Sequence, residues 1–220
     1  MTGPEIVTVE QDYPSADRDL VWVAEVRERA VERLQSVPPR YQDSTVTCPE
    51  VADWVRAVVA EAIRRQRGPI AAVSTGPSLM LLGPTGTGKT HQAYGALRAL
   101  AHSGVQCRWS YSTAADIYAR LRPRSGVDSE TEFDRLAKAP LLVIDDLGAA
   151  KGSEWTEEVN YRLINHRYEH MLPTLITSNL PVSELKTALG DRVSSRLNEM
   201  TTRAVLSGVD RRRVKTNGAT

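Results

Sequence analysis

A glycine-rich segment that follows a short apolar run constrains the fold of this chain more than any other feature of its sequence. Residues 79–82 are four consecutive apolar residues, and residues 83–90 match G-x-x-x-x-G-K-[ST] at every fixed position. Glycine permits backbone conformations closed to other residues, so successive N–H groups can turn inward around an anion. The positive end of the following helix points to the same place. The pattern predicts a buried strand, a phosphate-binding loop and the start of a helix.

The residues of this loop have distinct predicted roles in binding a nucleotide triphosphate. Lys89 supplies a mobile cation for the β- and γ-phosphates, and the Thr90 hydroxyl can enter the coordination shell of Mg²⁺. The alternative is a glycine-rich turn that binds nothing, and the strand before and the helix after the loop argue against it. ATP and Mg²⁺ are therefore the predicted cofactors. The predicted nucleotide-binding residues are Gly83, Pro84, Thr85, Gly86, Thr87, Gly88, Lys89, Thr90 and His91.

Length, charge and cysteine content narrow the class of protein. With 220 residues, the chain is long enough for one sizeable core and a small appendage. The formal net charge of +1 excludes a global field that attracts nucleic acid, so any basic patch must be local. Cys48 and Cys107 are the only cysteines, and their spacing argues against a disulfide framework or a zinc site and fits a reducing cytosol. Since no apolar run approaches the roughly 20 residues that span a bilayer, we expect a cytoplasmic protein that does not bind membranes.

Predicted strands and helices alternate along the chain after the loop. The run at residues 141–144 is continuously apolar, as in a central parallel strand covered on both faces. This alternation predicts an α/β fold with a five-stranded, mostly parallel sheet flanked by helices. Before the loop we expect one helix at residues 17–35 and a second that begins at a capping box, residues 47–50. The chain would thus comprise a helical arm and linker, 1–46, and a nucleotide-binding domain, 47–220. The five strands are predicted at 79–82, 105–111, 141–144, 173–178 and 203–207.

Two acids and one amide follow predicted strands at their carboxyl ends, where open α/β sheets bind ligands. Asp145 and Asp146 directly follow four apolar residues, which is the Walker B pattern. Asp145 is the predicted Mg²⁺ ligand and Asp146 the predicted base that polarises the attacking water. The alternative is that the two acids merely begin a turn. Asn179 could touch the γ-phosphate or the water, or it could cap the next turn, and the residue pattern leaves both open.

Arginines near the carboxyl end of the chain are a second set of candidates. Arg192 and Arg196 are four residues apart and therefore share one helix face. Such a face either supplies an arginine finger, which stabilises the charge of a transferring phosphoryl group in a neighbouring subunit, or is simply solvated. The three consecutive arginines at residues 211–213 are either a phosphate sensor or a basic tail.

Together these motifs resemble the AAA+ ATPases of the DnaC/IstB group, which comprises helicase loaders and transposition helper ATPases. The resemblance covers about residues 75–213 and implies a P-loop NTPase fold of the ASCE/AAA+ class. It assigns sensor 1 to Asn179, the arginine finger to Arg196 with Arg192 as second choice, and sensor 2 to Arg212 with Arg213 as second choice. Since about a dozen residues follow the last predicted strand, we expect no full helical lid. The matching motifs are Gly83-x-x-x-x-Gly88-Lys89-Thr90-His91, Leu142-Val143-Ile144-Asp145-Asp146-Leu147-Gly148, Thr177-Ser178-Asn179-Leu180, Asp191-Arg192-Val193-Ser194-Ser195-Arg196-Leu197 and Gly208-Val209-Asp210-Arg211-Arg212.

The resemblance also implies partners: a homo-oligomer with the arginine finger acting in trans, a replicative DNA helicase and single-stranded DNA. Basic residues with aromatic neighbours suit contacts to single-stranded DNA, and a buried tryptophan beside a solvated arginine face is the alternative. Two rival functions stay open. One is a helper of a transposase on double-stranded target DNA. The other is a nucleotide-gated scaffold with little turnover, suggested by Asp146 where a glutamate is usual. The candidate DNA-contacting residues are Arg120, Arg122, Arg124, Tyr118, Trp109 and Tyr111.

Overall fold

Helices and strands alternate as the sequence predicts. The computed structural model describes residues 17–124, 126, 128–149 and 152–208. The strands are β1 Ser78–Leu82, β2 Trp109–Thr113, β3 Leu141–Asp145, β4 Thr174–Ser178 and β5 Thr201–Val205. The α-helices are α1 Asp17–Leu34, α2 Pro49–Arg64, α3 Lys89–His102, α4 Ala114–Leu121, α5 Ser129–Ala137, α6 Glu154–Glu169, α7 Val182–Leu189 and α8 Asp191–Met200, with a 3-10 helix at Pro39–Tyr41.

The five strands form one sheet in the order β2-β3-β4-β1-β5, and every neighbouring pair is parallel. The predicted five-stranded parallel sheet is therefore confirmed. Strand β4 lies between β1, which leads into the glycine-rich loop, and β3, which carries the acidic pair. Because the carboxyl ends of parallel strands share one edge, this order brings the ends of β1, β4 and β3 side by side.

Strand β2 begins four residues later than predicted. In the ladder with β3, Trp109 is the first residue and lies opposite Leu141. The preceding residues pair elsewhere, since the Gln106 N–H donates to the Ala71 carbonyl at 2.8 Å and its carbonyl accepts from the Val73 N–H at 2.9 Å. The hydrophobicity of residues 105–111 predicts a strand, but it does not indicate that residue 106 pairs with residues 71–73 and residue 109 with β3. Strand β5 likewise lies two residues earlier than predicted.

Both faces of the sheet are covered, which explains the continuous apolar runs in its central strands. Along β1, Leu79 and Leu81 face the side covered by α2 and α3, whereas Met80 and Leu82 face the side covered by α4 to α8. All four side chains are buried. Among the described residues, no helix combines the length and apolarity needed to cross a bilayer.

The segment before α2 docks on α3, the helix that follows the glycine-rich loop. The predicted capping box at residues 47–50 is wrong, because α2 begins at Pro49 with Cys48 as its N-cap and no side chain caps it locally. Instead, Gln92 Oε1 on α3 accepts hydrogen bonds from the N–H groups of Thr47 and Cys48, both at 3.0 Å. Residues 42–48, here called the connector, are thus fixed to α3 by long-range contacts. The division of the chain at residues 46 and 47 stays a prediction.

Candidate nucleotide-binding site

The loop after β1 has the backbone of a phosphate-binding loop. Gly83, Gly86 and Gly88 have φ values of 144°, 87° and 99°, in the region that favours glycine. A Cβ atom at Gly83 would lie 2.2 Å from the Leu206 carbonyl oxygen, so no larger residue fits there. Gly88 is the N-cap of α3, which leaves the first N–H groups of this helix without partners inside the helix. The loop and the helix terminus therefore supply the donors that a phosphate requires.

Lys89 lies at the mouth of this loop. Its ammonium group donates to the carbonyl oxygens of Gly83 at 2.6 Å and Pro84 at 2.9 Å, and to Asn179 Oδ1 at 2.6 Å. The lysine is only 5% exposed, so its charge is held by fixed oxygen atoms rather than by water. Three rotatable donors on a flexible stem allow the ammonium to exchange these oxygens for those of a phosphate.

Asp145 ends β3 and accepts hydrogen bonds from three hydroxyl groups. Tyr111 donates to Oδ2 at 2.6 Å, Thr90 donates to the same oxygen at 3.1 Å, and Thr177 donates to Oδ1. The carboxylate is only 4% exposed, and these donors offset the cost of burying its charge. A carboxylate next to the Thr90 hydroxyl offers the oxygen ligands that Mg²⁺ takes in nucleotide sites. The residues present therefore fit a magnesium ion.

Asn179 connects Lys89 to Asp146. While its Oδ1 accepts from Lys89, its Nδ2 donates to Asp146 Oδ1 at 3.2 Å. Asp146 has a φ of 56°, a left-handed conformation that costs energy for any residue but glycine. Its N–H donates to Thr177 Oγ1 at 2.9 Å, which helps to hold this conformation. The structure thus brings Lys89, Asn179 and Asp146 into one hydrogen-bonded chain, as the strand order requires.

Tyr111 also belongs to this site, since its hydroxyl contacts Asp145, although it was predicted to contact DNA. Burial and the nearby Asp145 charge raise the pKa of its phenol, so the hydroxyl keeps the proton that it donates. Its ring stacks on that of Tyr94, with 4.3 Å between centroids, and is therefore not free to stack on a DNA base. Tyr111 is the middle residue of β2, and only its long side chain reaches Asp145 at the carboxyl end of β3, so the rule that predicted Asp145 and Asn179 at strand ends does not identify it.

The His91 side chain faces the connector rather than the loop. Its Nδ1 lies 3.1 Å from Ser44 Oγ, and its Nε2 lies 3.3 Å from the Thr45 nitrogen. His91 is one of the predicted nucleotide-binding residues. Because its side chain faces the connector, it could contact a phosphate only through its backbone N–H, in the first turn of α3.

The two arginines of α8 pack on aromatic rings of α6. The guanidinium carbon of Arg196 lies 5.2 Å from the ring centroid of Tyr161 and 5.6 Å from that of Tyr168. The Arg192 guanidinium lies 5.4 Å from the Tyr161 ring. Arg196 Nε is buried and has no hydrogen-bond partner among the residues that the structure describes. Neither arginine joins the hydrogen-bonded groups around Lys89 and Asp145. The predicted sensor residues Arg212 and Arg213 lie outside the described residues.

Only part of the predicted DNA-contacting cluster is available for contact with DNA. The Tyr118 hydroxyl donates to Asn160 Oδ1 at 2.8 Å. The guanidinium carbon of Arg33 lies over the Trp109 ring, 5.6 Å from its centroid. These aromatic side chains are engaged within the protein. The arginines of the cluster remain exposed at the surface between α4 and α5: Arg120, Arg122 and Arg124.

Comparisons with known proteins identify relatives of this chain. Residues 59–206 match the family model described as IstB-like ATP binding protein. The chain is 28% identical over 123 residues to "Replicative helicase loader DnaC" of Escherichia coli (strain K12), an alignment that covers 54% of this chain and 49% of that protein. It is 31% identical over 113 residues to "Putative insertion sequence ATP-binding protein y4iQ/y4nD/y4sD" of Sinorhizobium fredii (strain NBRC 101917 / NGR234), covering 51% of this chain and 37% of that one.

A solved structure has the same fold. The "Crystal structure of the DnaC helicase loader" superposes with a TM-score of 0.61 at 24% identity and covers 77% of this chain and 100% of that one. The chain spans about half or less of the length of the two curated relatives, at 49% and 37%. The family model, in contrast, matches more than half of the chain, from residue 59 to residue 206. The chain therefore belongs to the family of IstB-like ATP-binding proteins, and its fold is that of the P-loop AAA+ proteins.

Proposed function

We propose that this protein is a Mg²⁺-dependent ATPase that works as a DnaC-like loader of a replicative DNA helicase in DNA replication. The hydrogen-bonded chain from Lys89 through Asn179 to Asp146, beside the buried Asp145, carries this proposal. A site that only binds nucleotide needs the loop and its lysine. Hydrolysis of the γ-phosphate requires in addition a group that orients the attacking water, and we assign this role to Asp146, which Asn179 contacts.

Each residue of the site then has a distinct task. The N–H groups of the loop and of the first turn of α3 bind the phosphates, and Lys89 moves from its carbonyl partners to the β- and γ-phosphate oxygens. Thr90 and Asp145 would hold Mg²⁺, which would neutralise charge on the phosphates. Asp146 accepts a proton from the attacking water, and Asn179 orients Asp146 toward it.

Completion of the site by a second subunit is part of the proposal. Arg196 stabilises the charge of the phosphoryl group bound by the neighbouring subunit in a homo-oligomer, with Arg192 as the second choice. Its guanidinium packs on Tyr161 and Tyr168 and accordingly has a defined position on the α6–α8 surface. ATP binding would then favour assembly, and hydrolysis would release it. The sensor 2 role of Arg212, with Arg213 as second choice, remains a prediction.

Single-stranded DNA is the proposed second ligand. Arg120, Arg122 and Arg124 are exposed, and Arg122 lies 5.8 Å from the ring centroid of Trp155. Exposed arginines beside an aromatic ring suit contacts to the backbone and bases of a single strand. The relative named as a replicative helicase loader supports a helicase as the protein partner. This proposal implies that the protein works in the cytoplasm.

The experiment that tests the function is a mixture of the protein with its host's replicative helicase, with and without ATP, in which the masses of the complexes are measured. We expect an ATP-dependent complex that is absent with Lys89→Ala. Lys138→Ala is the matched control, because that lysine forms an exposed ion pair with Asp134, at 2.7 Å. If the wild type forms no complex with the helicase under either condition, the loader proposal is wrong.

A transposase helper is the second candidate, because one relative is named as an insertion sequence ATP-binding protein. The two functions require the same ATPase site and differ in their partners. Complex formation with a transposase on double-stranded DNA, but not with the helicase, would favour the helper. ATP turnover that is not measurable with single-stranded DNA present would instead favour a nucleotide-gated scaffold.

A further inference from the structure

We propose that Tyr111 is a positioning residue for Asp145, and that a stack of three tyrosine rings makes this positioning depend on docking of the connector on α3. The stack comprises Tyr41, Tyr94 and Tyr111. Tyr41 ends the 3-10 helix immediately before the connector, Tyr94 lies on α3, and Tyr111 lies on β2. The inference deepens the proposed function, because it concerns the carboxylate proposed to hold Mg²⁺.

The hydroxyl of Tyr111 fixes one oxygen of the carboxylate. It donates to Asp145 Oδ2 at 2.6 Å, while Thr177 donates to Oδ1. Thr90, the third donor, is itself a proposed metal ligand, so its bond to Asp145 changes when a metal is bound. Tyr111 and Thr177 are the donors that remain, one for each oxygen. Groups that hydrogen-bond a metal ligand in this way set its orientation and strengthen metal binding.

The ring stack fixes the position of this hydroxyl. The rings of Tyr94 and Tyr111 are 4.3 Å apart at an interplanar angle of 11°, and those of Tyr41 and Tyr94 are 4.8 Å apart at 17°. Rotation of the Tyr111 side chain about its Cα–Cβ bond would swing the ring and displace its hydroxyl from Asp145. The buried Tyr94 ring opposes that rotation from one face, and Tyr41 supports the far face of Tyr94.

The connector is fixed to the helix that follows the phosphate loop. Arg98 donates to the Ser44 carbonyl at 3.3 Å, and Gln92 Nε2 donates to Thr47 Oγ1 at 2.8 Å. A Cβ atom at Gly95 would lie 2.7 Å from the Thr45 carbonyl carbon, so the connector backbone contacts α3 directly. When the connector leaves α3, Tyr41 leaves the stack. The three stacked rings thus connect the proposed Mg²⁺ ligand, Asp145, to the connector.

The first test compares two hydroxyl deletions. Tyr111→Phe keeps the stacked ring and removes the bond to Asp145, whereas Tyr118→Phe removes a comparable bond to Asn160. We expect Tyr111→Phe to raise the Mg²⁺ concentration for half-maximal ATP binding by about tenfold and to leave nucleotide affinity in EDTA unchanged. Tyr118→Phe should alter neither quantity. An unchanged Mg²⁺ requirement in Tyr111→Phe would overturn the inference.

The second test concerns the connector. Tyr41→Ala should raise the same Mg²⁺ requirement by about threefold, whereas Arg40→Ala, in the same 3-10 helix, should not. If the stack carries the effect, Tyr41→Ala causes no further change in a Tyr111→Phe background. Equal effects of Tyr41→Ala in both backgrounds would overturn the role of the stack.

A third measurement needs no nucleotide, and thereby separates this inference from the proposed function. A double-mutant cycle of Tyr111→Phe and Asp145→Ala, each of which removes the bond between the two side chains, should show in urea unfolding a coupling of about tenfold in the unfolding equilibrium constant. Tyr41→Ala should reduce that coupling. If the wild type binds no ATP but the cycle shows the coupling, only the proposed ATPase function is contradicted. If the wild type binds Mg-ATP but the cycle shows no coupling, only the positioning role of Tyr111 is contradicted.

Discussion

The ammonium group of Lys89 donates a hydrogen bond to Asn179 Oδ1 at 2.6 Å, although the two residues are 90 positions apart in the chain. The strand order β2-β3-β4-β1-β5 causes this contact, because it places the end of β4 beside the loop that follows β1. The Asn179 amide also reaches Asp146, so one side chain contacts both the predicted phosphate cation and the predicted base. Movement of Lys89 onto a phosphate would therefore alter a contact of Asn179, and Asn179 in turn contacts Asp146.

Removal of this amide should impair hydrolysis more than binding. For Asn179→Ala we expect kcat for ATP to fall about a hundredfold while KM changes less than about threefold, since the amide orients groups that act in the transition state. Steady-state phosphate release measures both constants. Asn165→Ala is the control, because that amide donates to Glu169 on the exposed surface of α6. Equal losses in kcat from both substitutions would contradict the role given to Asn179.

The arginine finger is tested by mixing two inactive variants. Arg196→Ala subunits keep an intact nucleotide site, and Lys89→Ala subunits keep an intact finger. If Arg196 acts in trans, the mixture should recover part of the ATP turnover that each variant lacks alone. The matched variant is Arg192→Ala, which lies on the same helix and contacts the same Tyr161 ring. Full turnover by Arg196→Ala alone, together with loss in Arg192→Ala, would assign the finger to Arg192.

Gly95 should be intolerant of even a methyl group. Its Cβ would lie 2.7 Å from the Thr45 carbonyl carbon, so Gly95→Ala should displace the connector and lower the free energy of unfolding by about 1–2 kcal/mol. The expected loss is net of the helical preference of alanine, which acts in the opposite direction. Gly68→Ala is the control, because in the described part of the chain no atom beyond its immediate neighbours lies within 4 Å of the Cβ it would add. Urea unfolding measures the change, and cleavage within the connector by a protease should become faster. Equal stability of the two variants would contradict the close contact.

Arg167 connects α6 to the end of α5 and to β4, and its loss should be costly. This arginine is 0% exposed. Its guanidinium donates to the carbonyls of Leu136, Ala137, Ala139 and Pro173 and to the Thr174 hydroxyl. Arg167→Met removes five hydrogen bonds to buried acceptors, of which the Leu136 and Pro173 carbonyls each keep one backbone donor, so we expect a loss of about 3–5 kcal/mol in the free energy of unfolding. Arg64→Met, which removes a solvated pair with Glu61, should have little effect. Similar losses from both would contradict the structural role of Arg167.

Features determined by neighbouring residues were predictable from the sequence. The loop at residues 83–90, the apolar strand before Asp145 and the alternation of helices and strands each depend on spacings within one segment, and the structure agrees with all three. The rule that ligands bind at the carboxyl ends of parallel strands then brought Asn179 and Asp145 to the same edge. The sequence thus sufficed for the fold class and for bringing Asp145 and Asn179 to this edge.

The features that were missed depend on contacts between distant segments. The predicted capping box is wrong because the side-chain oxygen of Gln92, and not a local side chain, accepts hydrogen bonds from the N–H groups of Thr47 and Cys48. Gln92 lies 45 positions after Thr47 in the chain. Tyr111 was assigned to DNA because a tyrosine near arginines suits stacking, whereas its neighbours in space are Tyr94 and Asp145. Neither periodicity nor a short motif contains this information.

Calorimetric titration of Mg-ATP into the purified wild-type protein tests the central claim most directly. We expect heat of binding, saturation at one nucleotide per chain and a dissociation constant between about 1 μM and 1 mM, with at least about a hundredfold weaker binding by Lys89→Ala. Omission of Mg²⁺ should weaken binding by the wild type. If the wild type produces no heat and shows no affinity for Mg-ATP, the loop does not bind nucleotide, and the loader, helper and scaffold proposals are all contradicted.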